Sequence, residues 1–245
     1  MKRLVKPAPV REGDKVAVLS PAWAAPAYFP AIHEQAMRRL EEIFGLEVVE
    51  YPTTRALGAS PEERARDVNA AFADPEIRAL ISTIGGNDQI RILRYLDPEL
   101  PLADPKPFFG YSDSTNLHAW LFAHGLASFY GGSSMVHLGS GPTVDSEHVT
   151  SLRAALFGEG DLTYALPADS QDYGFDWSEE RALTEASPRE AAVPLEFYGS
   201  RTRVRGRTWG GCLEVLDQLA WANRLPDPAD LEGCLLYTSP SPRDS

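Results

Sequence analysis

Residues 106–125 read KPFFGYSDSTNLHAWLFAHG. An apolar run ends in Gly110, a serine stands at 112, and a helix-like pattern begins at once. A short buried strand that turns straight into a helix is the unit of a parallel α/β sheet. Upstream the same unit repeats. KVAVLS (15–20), LEVVEY (46–51) and IRALISTIGG (77–86) read as strands, and LASFYGG (126–132) reads as a fifth. Between them, AIHEQAMRRLEEIFG (31–45) spaces Ile32, Ala36, Leu40 and Ile43 on one helix face. Ser60, with Pro61 next and Glu63 three residues on, is a capping-box signature that opens a second helix. NDQIRILRYLD (87–97) reads as a third. Strands alternating with helices imply a parallel sheet covered on both faces, with ligands beyond the carboxyl ends of its strands. IGGND and GYSDST both fall at such ends.

After about residue 150 the pattern changes. PADSQDYGFDWSEERALTEASPRE (167–190) is polar and acidic, and reads as an exposed loop. AAVPLEFYGSRTRVRGRTWGG (191–211) alternates like short antiparallel strands, and CLEVLDQLAWA (212–222) is helical. The expected division is 1–165 as an α/β domain, 166–190 as a linker, 191–236 as part of a second domain and 237–245 as a tail.

The totals exclude several classes. The chain has 245 residues, is 43% hydrophobic and carries a net charge of -12. That excess of acid argues against nucleic acid and against an anionic membrane surface. No run approaches a bilayer span, and the basic start MKRLVKPAPVREGDKV lacks the apolar core of a secretory signal. Cys212 and Cys234 give neither metal spacing nor a disulfide framework. A cytoplasmic setting, no metal and no cofactor are expected; a homodimer stays open.

Ser112 has two readings. A strand-to-helix turn lifts the side chain off the sheet edge and points the Asp113 amide outward at a helix N-terminus, where an oxyanion is favoured. Alternatively, Ser112 or Asp113 merely caps the helix, and on pattern alone the cap is favoured. Gly85–Gly86 could bring a second amide close, or be a plain tight turn. A base is harder to find. His118 lies six residues past Ser112, on a different helix face. His124 sits near a helix end, and His33 and His148 read as solvated. His137 could line a cleft, although core or surface suits it as well. Trp177 could stack on a substrate or simply sit in an exposed loop.

GYSDST (110–115), with STIGGNDQIRILRYLD (82–97) before it and GRTWGGCLEVLDQLAW (206–221) after it, resembles the serine LD-carboxypeptidase family. GGNDQIRIL and the FDW…RALTE insertion are closer to its microcin C immunity-protein branch. The resemblance implies a flavodoxin-like N-terminal domain, an incomplete swivelling β/α C-terminal domain and an active site between them. It makes Ser112 the nucleophile and the amides of Gly86 and Asp113 the oxyanion hole, with Gly85, Tyr111 and Trp177 toward the substrate. It implies cleavage of an amide near a free carboxylate, in a murein tetrapeptide or a microcin C-like aminoacyl or peptidyl nucleotide. The rival is a non-catalytic small-ligand binder on the same fold. The family's base is a histidine oriented by a glutamate. The glutamate's slot falls at about Ser239, and the histidine is expected beyond residue 245. CLLYTSPSPRDS (234–245) resembles translated adapter sequence, so 237–245 is expected to be an artefactual tail and the chain inactive as it stands.

Overall fold

Five short apolar runs pair into one parallel sheet: β1 (Lys15–Leu19), β2 (Glu47–Glu50), β3 (Ile77–Ser82), β4 (Phe108–Gly110) and β5 (Phe129–Tyr130). The order is β2-β1-β3-β4-β5. This is the flavodoxin-like arrangement, with its switch of direction between β1 and β3. The computed structural model describes residues 3–158, 161, 163, 167–171, 174–193, 196, 198–199 and 202–239.

Alternating side chains of each strand feed two cores. On one face Ala17, Leu19, Leu80 and Phe108 pack with α2 (Pro61–Ala73) and, after the short α3 (Leu100–Ala103), with α4 (Thr115–Ala123). On the other face Val16, Val18, Ala79, Ile81 and Phe109 pack with α1 (Pro30–Phe44) and, past α5 (Ser134–Leu138), with α6 (Ser146–Phe157). Phe108 and Phe109 are thus buried on opposite faces, each worth roughly 1.5–3 kcal/mol. The capping box forms as read, with Glu63 N–H donating to Ser60 Oγ and Ser60 N–H donating to the Glu63 carboxylate.

The rest of the chain contains β6 (Asp169–Ser170), α7 (Arg181–Thr184), β7 (Glu190–Ala191), β8 (Thr208–Cys212), α8 (Leu213–Trp221), α9 (Pro228–Leu231) and β9 (Leu235–Ser239). Helix α8 buries Val215, Leu216 and Leu219 in the same core as α2 and α4. Strand β8 reaches α4 by bare backbone. A side chain at Gly211 would strike Thr115 at 2.5 Å, and Cys212 N–H donates to Thr115 Oγ1 at 3.0 Å.

Several local readings differ from what forms. The helix read at 87–97 forms over Gln89–Tyr95 as a 3-10 helix, and its first free amide, Gln89 N–H, donates to the Asp113 carboxylate. The antiparallel strands expected over 191–211 reduce, among the described residues, to the pair β6–β7, and β8 pairs in parallel with β9. The expected strand 126–132 shortens to Phe129–Tyr130. His33 is not solvated: it is fully buried, with Nε2 3.2 Å from Glu50, and burial holds its pKa below the usual imidazole value. The segment read as an exposed loop is anchored, since Ala182 is buried and its carbonyl accepts from Gly141 N–H. Residues 237–239 of the expected tail complete the register with Gly210–Cys212. Residues 240–245 lie outside the described residues, as do 172 and 173 of the acidic segment, 194, 195, 197, 200 and 201 of the expected strand region, and the 165/166 boundary.

One buried cation locks the helix side of the sheet. Lys106 is 0% exposed, and its ammonium donates to the carbonyls of Ala71, Phe72 and Asp74 at the C-terminus of α2. These are carbonyls a helix end cannot satisfy itself, and the helix dipole favours a cation there. Lys106→Met should leave them unpaired and cost roughly 2–4 kcal/mol, measured by urea denaturation. A change below 1 kcal/mol would mean that water takes over the three carbonyls.

Candidate active site

The C-terminal ends of β1, β3 and β4 carry three loops that meet. At the centre is Ser112, whose φ of +57° puts a non-glycine residue in the left-handed region. That conformation costs an L-residue roughly 1–2 kcal/mol, so the surroundings must impose it. They do so from both sides. Ser112 N–H donates to Tyr130 Oη at 3.1 Å, from the end of the neighbouring strand β5. Asp113, 1% exposed, turns inward, and its carboxylate accepts from Gln89 N–H (2.9 Å) and Asn116 Nδ2 (2.7 Å). Gln89 Oε1 answers by accepting from Leu117 N–H. Burial is the largest influence on Asp113 and raises its pKa above the usual carboxylate value, with these donors opposing it.

The capping reading fails here. Ser112 makes no side-chain cap, and the Asp113 carboxylate is spent across the loop. Ser112 opens a 3-10 turn, Ser112–Ser114, directly between β4 and α4. The Gly85 loop lies against it. An ideal Cβ at Gly85 would sit 2.8 Å from Ser112 Cβ, 3.0 Å from its Oγ and 3.2 Å from Asp113 N. Only a glycine allows that approach, and it leaves the Ser112 hydroxyl and the Asp113 amide facing one small space. A Cβ at Gly86 would instead meet Ala22 and Trp23 of the β1 loop.

The remaining expected residues are less central. Tyr111 packs its ring edge-on against His137 at 5.4 Å, and burial pushes its hydroxyl pKa up to about 12. Trp177 is half-buried with its ring edge-on to Phe29 at 5.6 Å, in a cluster with Ala25, Ile32, Met135 and Ala182. No contact joins it to Ser112 among the described residues. Each of the five histidines is engaged away from the serine. His33 meets Glu50, His124 Nδ1 bonds Trp120 O, and His137 Nδ1 bonds Ser133 O while its ring meets that of His148. His118 Nε2 donates to Gly110 O at 2.9 Å and its Nδ1 accepts from Ser128 Oγ at 2.7 Å. Burial drives the pKa of His118 down to about 4, so the ring is neutral and structural at pH 7. Among the described residues no group of three His, Cys, Asp or Glu side chains could hold a metal ion.

Sequence reasoning missed Tyr130, Gln89, Asp88 and Arg64. Only Arg64 left a signal: with Val68, Ala71 and Phe72 it falls on the apolar stripe of α2, where an arginine needs a reason.

This geometry defines a parallel α/β protein that presents a serine on a strained strand-to-helix turn beside a glycine loop. Residues 16–131 match the LD-carboxypeptidase N-terminal domain, and the chain carries that domain. A Vibrio cholerae protein named as a carboxypeptidase is 32% identical over 218 residues, 86% of this chain and 63% of that protein. The Escherichia coli microcin C7 self-immunity protein MccF is 33% identical over 184 residues, 74% of this chain and 52% of MccF. A Bacillus subtilis protein named as a murein peptide carboxypeptidase is 32% identical over 217 residues, 86% of this chain and 61% of that protein. The solved structure of MccF with glutamyl sulfamoyl guanosine superposes with a TM-score of 0.86 at 26% identity, over 96% of this chain and 70% of MccF. The chain thus spans between 52% and 63% of the length of these three curated relatives.

Two substitutions test the turn. Ser112→Gly should be more stable than Ser112→Ala by about 1 kcal/mol, because only glycine relieves the positive φ. Gly85→Ala should keep the fold but displace Ser112, slowing its modification by a fluorophosphonate by about tenfold or more. Equal melting of the two Ser112 variants, or unchanged labelling of Gly85→Ala, would contradict the geometry.

Proposed function

We propose that this chain carries the nucleophile domain of a serine hydrolase that cleaves an amide bond near a free carboxylate. The observation that supports it best is the left-handed backbone of Ser112, enforced by Tyr130 and Asp113 against the Gly85 loop. Strain of this kind is kept where it serves a site. In the proposed cycle Ser112 Oγ adds to the amide carbon while its proton passes to a base. The oxyanion is held by the amides of Asp113 and Gly86. Collapse releases the amine and leaves an acyl ester on Ser112, which water then hydrolyses. No metal or cofactor enters this cycle.

The substrate is proposed to be a microcin C-like aminoacyl or peptidyl nucleotide, with a murein tetrapeptide as the competitor. The first is supported by the likeness to MccF, solved with aspartyl sulfamoyl adenosine and with glutamyl sulfamoyl guanosine. Trp177 would then meet the substrate from its seat on Phe29, and Tyr111 and Gly85 from beside the serine. The division into a nucleophile unit at 1–165 and a partial second unit at 191–236 is part of the same proposal, as is a cytoplasmic setting. Among the described residues no helix is long and apolar enough to cross a membrane.

No histidine is hydrogen-bonded to Ser112 among the described residues. Among the described residues the serine–histidine–glutamate set that the resemblance implies is not assembled, and we do not expect the chain to turn over substrate alone. The same observation favours the second reading, a binder in which Ser112 only hydrogen-bonds its ligand.

A serine-directed fluorophosphonate separates the two. The chain should take up one phosphonyl group at Ser112, slowly because no histidine stands beside it among the described residues, and Ser112→Ala none. Aspartyl sulfamoyl adenosine should bind more tightly than a murein tetrapeptide, read by calorimetry. Tight nucleotide binding with Ser112 left unmodified would replace the hydrolase with the binder.

A further inference from the structure

Arg64 sits on α2, remote in sequence from every loop of the site, yet its side chain is enclosed, with the residue 6% exposed. A guanidinium on an apolar helix face must be matched by acceptors. Here they come from two separate loops. Nη1 donates to the carbonyls of Pro21 (2.9 Å) and Ala22 (2.6 Å), beyond β1, and to Asp88 Oδ1 (2.8 Å), beyond β3; Nη2 donates to Asp88 Oδ2 (3.0 Å). The two loops touch at Gly86, where a Cβ would lie 2.8 Å from that of Ala22. Gln89, next in the chain to Asp88, donates its backbone amide to the Asp113 carboxylate at 2.9 Å, and Asp113 follows Ser112. A run of contacts thus leads from Arg64 through Asp88 and its chain neighbour Gln89 to the serine turn.

We propose that Arg64 is a positioning residue for the reaction at Ser112: it ties the β1 and β3 loops together and so fixes the Gly85–Gly86 backbone relative to the serine. The inference rests on the hydrolase reading above. It needs an arginine, because only a planar fork can grip both oxygens of Asp88 while the same nitrogen serves two carbonyls. Lysine keeps the charge but loses that geometry.

The test is phosphonylation of Ser112 in the full 245-residue chain, with saturation kinetics that separate reversible binding from bond formation. Arg64→Lys and Asp88→Asn should each slow bond formation by about tenfold or more with reversible affinity unchanged. The double variant should lose little beyond the worse single, since both cut one link. Arg64→Ala should lose more than Arg64→Lys. Arg78→Lys, which alters the Arg78–Asp104 pair at the opposite end of β3, should change neither quantity. Amide hydrogen exchange over 111–114 should also rise in Arg64→Lys. Wild-type rates in both Arg64→Lys and Asp88→Asn, or rate and affinity falling together with the folded fraction, overturn the proposal. If the wild-type chain takes up no phosphonate, exchange decides: a rise at 111–114 upholds the clamp while the hydrolase reading falls, and no rise overturns the clamp too.

Discussion

A carboxylate almost completely withdrawn from water holds the candidate site together. Burying an ionisable group is costly unless its hydrogen bonds are made, and the donors that stabilise Asp113 are the backbone amide of Gln89 and the carboxamide of Asn116. One donor lies on the β3 loop and the other on α4. The Asp113 side chain therefore cannot be solvated properly unless the loop and the turn are both in place. A turn that strains its serine is tolerated because undoing it would leave a buried carboxylate and a buried amide unpaired. The desolvation penalty acts as a latch, and the sheet beneath supplies the stiffness against which it closes.

That stiffness comes from ordinary packing. Successive side chains of β3 and β4 go to opposite cores, so a slip by one residue would send every side chain into the wrong core. The register Leu80↔Phe108 and Ile81↔Phe109 places the ends of the two strands level. Gly85 and Ser112 follow those ends after comparably short leads, and this is why two motifs 27 residues apart meet. Lys106 adds a restraint at the far end of β4, where its ammonium closes the C-terminus of α2.

The sheet, its helices and the meeting of the two motifs were readable from the alternation of short apolar runs with amphipathic stretches, since periodicity encodes burial directly. The kind of helix at 89–95 was not, because apolar periodicity does not separate a 3-10 helix from an α-helix over so short a run. The burial of His33 was missed for a related reason: a histidine on a helix face reads the same whether it meets water or a glutamate from a neighbouring strand. Beyond residue 165 local pattern carried little. The parallel partner of β8 comes from more than twenty residues downstream, and no local signal distinguishes such a pairing from a hairpin. At the site, Ser112, Asp113 and Gly85 were legible as a strand-end motif. Tyr130 was not, because its role is a contact with the Ser112 amide that only folding brings near, and Arg64 showed only as a charge on an apolar stripe, its partners hidden until the loops fold.

The junction between β8 and α4 carries an evolutionary consequence. It is made by main chain against Thr115, with no side chain from Gly211 taking part. Behind it, Trp209 meets the Phe122 ring and Cys212 is buried in the core of α4, so the inward side chains are held while the outward ones are not. Lineages descending from this scaffold could rewrite the outward side chains of the second sheet, and with them the selection of ligand, without disturbing how that sheet is mounted on the helix behind the serine. Diversification would then run through residues around Gly211, while the mounting itself stayed in place.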